Sequence, residues 1–314
     1  MSKIALFFPG QGSQSVGMMN GFGDNPVIKQ TFIEASDVLG VDFWAMVTEP
    51  NELLNLTQNT QPLMLIAGVA THRAYIEAGG LQATNNKITA HAGHSLGEYT
   101  ALVASSVLSF ADALPLVKFR AEAMQAAVPE GVGAMAAILG LDDEQVRAAC
   151  LEAAQGEVCD AVNYNSIGQV VIAGNKAAVE RAMEIAKAKG AKRALPLPVS
   201  VPSHCALMRP AAEKLAEYLK NVTINTPQIP VIHNADIVSY HNAEQIKDAL
   251  VRQLYSPVRW VETVQVIAAQ GVTSSAECGP GKVLAGLTKR IVAELPCTAL
   301  ISNEAVTEFI KVNN

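Results

Sequence analysis

The stretch Ile88-Thr-Ala-His-Ala-Gly-His-Ser-Leu-Gly-Glu-Tyr99 sets Ser95 between two glycines, where an apolar run gives way to a helical pattern of small and apolar residues. In a G-x-S-x-G corner between strand and helix the hydroxyl is pushed outward on a sharp turn. Glycines at 93 and 97 remove Cβ atoms where backbones crowd. The corner is also a helix N-terminus, whose free N–H groups and dipole favour developing negative charge. Those are the needs of a nucleophile that passes through an oxyanion. The same five residues also suit a plain serine cap between tight-turn glycines, so the reading depends on partners elsewhere.

A serine hydroxyl needs a general base in contact with it. Six histidines are available. His72 lies in an expected helix, His91 and His94 on the elbow's own strand and turn, His233 near a strand end and His241 in a polar segment. His204, in Val201-Pro202-Ser203-His204-Cys205, stands on a proline-punctuated stretch at an expected junction between structural units, where sites are commonly assembled. A third group is Arg120. At ~100° per residue it falls on the stripe of Ala113, Val117, Ala121, Met124 and Val128. A guanidinium on an apolar face is costly unless an anion answers it. It either pairs with an internal acid, lets its head reach solvent, or forms a bidentate seat for a substrate carboxylate. His91 and His94 have loosely metal-like spacing but no third ligand in reach, and no metal is expected.

The elements that must position these groups follow from pattern. Residues 3–8 read as a short buried strand emptying into Pro9-Gly10-Gln11-Gly12-Ser13-Gln14. This loop offers closely spaced N–H groups but matches neither the dinucleotide fingerprint nor the phosphate-loop signature. Residues 62–78 read as a buried helix with Thr60 as cap, and 112–128 as a second helix. From 133 the order is strand (134–141), helix opened by a capping box at Asp142 to Gln145, strand (158–165), strand (169–173), helix (176–189), strand (193–199). Such a β-α-β-β-α-β run matches the ferredoxin-like arrangement. A strand at 227–233 and helices at 243–254 and 258–270 follow.

The chain has 314 residues, enough for a large unit plus a smaller one. Half its residues are hydrophobic and 5% aromatic, as suits an α/β enzyme. The formal charge of -6, with no long basic run, argues against a nucleic-acid partner. No apolar run approaches the roughly 18 residues that span a bilayer, and no signal-like segment opens the chain, so neither a membrane nor export is expected and a cytoplasmic protein is. Five scattered cysteines, an odd number without a C-x-x-C pair, fit a reducing compartment.

Taken in order, Pro-Gly-Gln11-Gly-Ser-Gln, Gly-His-Ser95-Leu-Gly-Glu-Tyr, Arg120, Pro-Ser-His204, Arg-Gln253-Leu and Gly279-Pro-Gly-Lys-Val-Leu284 resemble the malonyl-CoA:acyl carrier protein transacylases of bacterial fatty-acid synthesis. The likeness runs from about residue 4 to about residue 292. It implies an α/β-hydrolase-like core with a largely parallel sheet, residues 1–130 and 198–314, and an inserted ferredoxin-like α+β subdomain, residues 131–197. By the same resemblance Ser95 is the acylated nucleophile and His204 its base. Arg120 pairs with the malonyl carboxylate, and the backbone N–H groups of Gln11 and Leu96 form the oxyanion hole. The segment of Gln253 orients the histidine through a backbone carbonyl, and Asn163 and Asn165 lie toward the coenzyme A end of the cleft. Cys278 departs from an aliphatic residue usual in relatives. The resemblance implies no bound cofactor, malonyl-CoA as substrate, and acyl carrier protein, with its phosphopantetheine, as partner. Lys192-Arg193, Lys282 and Lys289-Arg290 are candidate basic patches for an acidic carrier. A serine thioesterase or esterase would share the elbow and base with water as acceptor. Arg120 separates the two, since a hydrolase of uncharged esters has no use for it.

Overall fold

The computed structural model describes residues 3–83, 88–199 and 201–314. Along the chain these form β1 (Ile4–Phe8), α1 (Pro26–Leu39), α2 (Phe43–Thr48), α3 (Thr57–Glu77), α4 (Gly80–Ala83), β2 (Ile88–Gly93), α5 (Gly97–Ala104) and α6 (Phe110–Ala127). There follow β3 (Gly133–Leu139), α7 (Asp143–Ala154), β4 (Cys159–Ser166), β5 (Gln169–Asn175), α8 (Lys176–Ala188) and β6 (Arg193–Pro196). The chain then runs through α9 (Arg209–Leu219), β7 (Val231–Ile232), α10 (Ala243–Gln253), α11 (Trp260–Ala269), β8 (Ser274–Glu277), α12 (Val283–Ile291), β9 (Cys297–Ala299) and α13 (Asn303–Asn313).

The strands make two sheets. One has the order β7-β2-β1-β8-β9 with every pair parallel. A parallel sheet covered on both faces needs strands that are apolar throughout, and all five residues of β1 are fully buried. Its alternate side chains serve different layers. Ile4, Leu6 and Phe8 enter a large core with residues of α1, α3, α5 and α6. Ala5 and Phe7 enter a second core with Trp260 and Val264 of α11 and Leu284 and Leu287 of α12.

The other sheet is antiparallel with the order β4-β5-β3-β6. Helices α7 and α8 cover one of its faces. On the opposite face Met135, Val162, Val171 and Ala173 pack with Cys205. The antiparallel sheet is tied beside β4 to the segment that leads into α11, where the Val258 N–H donates to the Val162 carbonyl (2.8 Å) and the Tyr164 N–H to the Val258 carbonyl (3.0 Å). Thus the chain segment bearing Cys205, the neighbour of His204, is packed between the antiparallel sheet and the larger body. Among the described residues no helix is long and apolar enough to cross a membrane.

Three local expectations are corrected. Helix α3 starts at Thr57 rather than near Pro62, with Leu56 in the cap position. Thr60 lies within the helix and turns its hydroxyl back to the carbonyls of Leu54 (2.6 Å) and Leu56 (3.1 Å). Pro62 is tolerated inside because the helix is packed on nearly every side. The strand expected over 193–199 ends at Pro196, the last residue paired with β3. That expected over 227–233 shrinks to Val231–Ile232, since Pro230 has no N–H and contributes only a carbonyl, which accepts from the His91 N–H (2.8 Å). The capping box at Asp142 and Gln145 is present as expected.

Candidate active site

Strand β2 ends at Gly93 and α5 begins at Gly97, so three residues turn the chain. The turn forces Ser95 to φ 51°, a left-handed conformation that costs a residue with a side chain. The corner is pressed onto the end of β1. The His94 N–H donates to the Phe8 carbonyl (3.0 Å), and a Cβ on Gly97 would run into that same oxygen. A Cβ on Gly93 would strike the Gly97 carbonyl group. Both glycines are therefore fixed by close approach.

His204 also sits at positive φ, 66°. Its N–H donates to the Leu254 carbonyl (3.0 Å), and its Nδ1 lies 2.8 Å from the Gln253 carbonyl oxygen. A carbonyl only accepts, so Nδ1 carries the proton and Nε2 is bare. Nε2 faces Ser95 Oγ at 2.7 Å, which makes the serine hydroxyl its donor. Burial, and then the charge of Arg120, push the His204 imidazole down to about 3, against the opposing pull of the Gln253 carbonyl. The ring is thus neutral at pH 7. A hydroxyl bonded to a neutral, oriented imidazole can lose its proton as it attacks a carbonyl.

Arg120, on α6, is completely buried. Its guanidinium donates to Gln61 Oε1 (2.6 Å), Gln253 Oε1 (3.0 Å) and Ser95 Oγ (3.3 Å), and it lies 5.4 Å from the centre of the Tyr99 ring. Its Nε–H has no partner. Burial pulls the guanidinium down, while Tyr99 and Glu98 act the other way. None of its hydrogen-bond partners is a carboxylate, so the cation stands beside the serine with unspent capacity for an anion.

The main-chain N–H groups of Gln11 and Leu96 make no hydrogen bond among the described residues. Leu96 directly follows Ser95 at the start of α5, and the Gln11 side chain is 3.5 Å from Gln61 Nε2. Asn165 is already engaged, its Oδ1 lying 2.8 Å from His94 Nε2. Asn163 has a buried Oδ1 with no partner. Beside His204 opens a cleft of 670 Å³, lined among others by Asp160, Tyr164, Ala206, Arg209 and Tyr255.

The sequence reading missed the layer beneath. Asn234 Oδ1 accepts from the Ser95 N–H (2.8 Å), and its Nδ2 donates to the Gly93 carbonyl (2.6 Å), bracing the elbow from inside. Gln253 contributes its side chain as well as its carbonyl: Nε2 donates to the Ser95 carbonyl (2.9 Å) and to Glu98 Oε2 (3.0 Å). Gln61 and Asn234 carry no sequence signal. Glu98 does, as an acid in the first turn of an otherwise apolar buried helix.

Residues 6–306 match the acyl transferase domain family, which places this α/β chain among the acyltransferases. Malonyl CoA-acyl carrier protein transacylase of Escherichia coli (strain K12) is 54% identical over 314 residues, covering 99% of this chain and 100% of that protein. The protein of that name from Bacillus subtilis is 44% identical over 311 residues, covering 98% and 96%. An acyl-carrier-protein S-malonyltransferase from Burkholderia pseudomallei has a solved structure that matches with a TM-score of 0.95 at 57% identity, over 98% of this chain and 99% of that one. A structure of a type II PKS acyl-carrier protein in complex with its malonyl-transacylase matches with a TM-score of 0.96 at 54% identity over 100% of both chains. The chain belongs to the malonyl CoA-acyl carrier protein transacylase family.

Proposed function

We propose that this chain transfers malonyl from coenzyme A to the phosphopantetheine thiol of acyl carrier protein, through an ester on Ser95, in cytoplasmic fatty-acid synthesis. The observation that carries this reading is Arg120: a buried cation, bonded only to neutral oxygens, 3.3 Å from the serine hydroxyl. A carboxylate two carbons beyond the reacting carbonyl is the ligand such a seat selects.

Ser95 Oγ attacks the thioester carbonyl as His204 Nε2 takes its proton. The oxyanion is held by the N–H groups of Gln11 and Leu96, each worth ~3 to 4 kcal/mol in the transition state. The Gln253 carbonyl steadies the imidazolium through Nδ1–H, in the place of a triad acid. Collapse expels coenzyme A as its thiol, protonated by His204, and leaves a malonyl ester whose carboxylate rests on Arg120. The carrier's thiol then enters the same space and the steps run in reverse, which gives ping-pong kinetics. The 670 Å³ cleft beside His204 is the natural course for the pantetheine arm. Asn163 and Asn165 are assigned to coenzyme A on the family resemblance; they lie on β4, whose Ala161 and Tyr164 line that cleft, but are not themselves among its lining residues.

The same proposal extends to architecture. Residues 1–130 and 198–314 form an α/β-hydrolase-like core, supported by a parallel sheet with an elbow at the end of β2. Residues 131–197 form a ferredoxin-like insert, supported by the sequence β-α-β-β-α-β and the strand order β4-β5-β3-β6.

The experiment mixes the protein with malonyl-CoA and follows intact mass, then adds carrier protein with its phosphopantetheine. A malonyl mass on the peptide of Ser95, passing to the carrier thiol, is expected. Release of free malonate at a rate equal to loss of the adduct would favour a thioesterase instead.

A further inference from the structure

We propose that Glu98 is the resident counter-ion of Arg120, acting across the Gln253 side chain, and that it sets how tightly a malonyl carboxylate is held; this rests on the reading of Arg120 as the carboxylate seat. A fully buried guanidinium whose partners are all neutral is strongly disfavoured unless an anion stands close by. Glu98 is equally buried. Each of its contacts is a donor: His233 Nδ1 at 2.7 Å on Oε1, with the Asn234 N–H at 2.9 Å and Gln253 Nε2 at 3.0 Å on Oε2. A donor-only environment is that of an ionised carboxyl, which can only accept.

His233 does not discharge it. The His233 Nε2 is buried without a partner, so an imidazolium would strand an N–H there, whereas the neutral Nδ1–H tautomer leaves only a lone pair. The anion is instead passed on. A carboxylate cannot donate, so the end of the Gln253 amide facing Glu98 must be its NH2, and its Oε1 is thereby turned to Arg120 at 3.0 Å. Carboxylate, amide and guanidinium form one polarised chain.

The relay differs in kind from a salt bridge. An acid bound directly to Arg120 would occupy the N–H groups a substrate carboxylate needs. One amide away, Glu98 keeps the cation balanced in the resting protein while leaving it open, and it moderates the grip on the acyl group so that the group can leave for a second thiol. Charges so spaced in a buried site still interact appreciably. Glu98 is thus a positioning residue that also tunes charge.

The test is Glu98→Gln. The two donors on Oε2 keep the new amide's oxygen, and its NH2 meets His233 Nδ1, which then accepts while the ring proton moves to the unpartnered Nε2; the bonds to the side chain persist and the charge is lost, and the stranded N–H lowers the variant's stability alike with and without a malonyl group. Malonyl loading of Ser95 from malonyl-CoA should gain about three- to tenfold in kcat/KM, with acetyl loading changed by less than about twofold. Malonylation should also raise Tm more in the variant than in the parent, because the acyl carboxylate supplies the missing anion. Equal changes for both donors, a lower malonyl-to-acetyl ratio, or the same Tm gain in both proteins would overturn the proposal. If Glu98→Gln alone does not fold, the pair Glu98→Gln/Arg120→Gln should, since neither charge is then left alone; failure of the pair overturns it too. An unmodified protein that takes no malonyl onto Ser95 would instead defeat the functional reading, and this inference with it.

Discussion

Ser95 and His204 meet at 2.7 Å and both hold a left-handed backbone, yet opposite means put them there. The Ser95 corner is built locally: two glycines four residues apart, a strand before, a helix after, and the end of β1 pressed against the turn. The His204 corner has no such frame. It lies on an irregular segment, held by the carbonyls of Leu254 and Gln253, the latter 49 positions further along the chain. The shape of the nucleophile's turn is set by its own local sequence, with Asn234 and the end of β1 bracing it, whereas the base is placed by tertiary packing alone. Substitutions at the two corners should therefore fail differently.

The largest effect is expected at the base. His204→Ala should leave the fold nearly intact, because the backbone N–H that anchors the corner remains, and should lower single-turnover malonyl loading by about 10⁴-fold or more. A loss below about tenfold, read by quenched-flow mass spectrometry, would mean that another group takes the serine proton. Gly97→Ala attacks the other corner through the fold. Its methyl must push the elbow off the Phe8 carbonyl, so a loss of at least about 4 kcal/mol in denaturant unfolding, or failure to fold, is expected. A cost under about 1 kcal/mol would show that the corner has room to yield.

Arg120→Ala leaves the backbone of both corners in place while removing the cation beside the Ser95 hydroxyl, and it sharpens the comparison. Malonyl loading should fall by about a hundredfold while acetyl loading holds or rises, since only the charged substrate loses a partner. An unchanged ratio of the two rates would remove the arginine from specificity.

The same contrast explains what was legible in the sequence. The elbow could be read because glycine spacing and the switch from strand to helix are local signals. Arg120 could be read because one helix turn repeats every 3.6 residues and a charge within its apolar stripe stands out. His204 carried only its position among six histidines, and the family resemblance supplied its role. Gln61 and Asn234 were invisible, as an amide that braces a distant backbone looks like any surface amide. The antiparallel sheet was legible nearly throughout, since its strands β3, β4 and β5 have seven or eight residues. Strands β8 and β9, with four and three, are too short for a period of two to declare itself, although β8 pairs directly with the central β1. Thr60 misled for a related reason: a hydroxyl ahead of an apolar run signals a cap, but here packing extended the helix past it.

The smallest expected effect is on pH, and it separates catalysis from stability. His204 is neutral down to about pH 3, and the half-buried His72 down to about 4. Malonyl loading at saturating donor should then show no inflection from His204 between pH 8 and pH 5; a half-fall near 6.5 would mean that the ring is solvated in the working protein. Stability should behave otherwise. Between the unfolded value of 6.5 and these lower native values the unfolded chain binds more protons than the native one, so stability rises with pH across that window and falls on acidification. Tm should accordingly drop from pH 6.5 toward pH 4 while the rate per folded molecule stays level. His204→Gln should flatten part of that slope, because one proton acceptor of the unfolded chain is gone, and an unaltered slope would place the acid sensitivity in other groups.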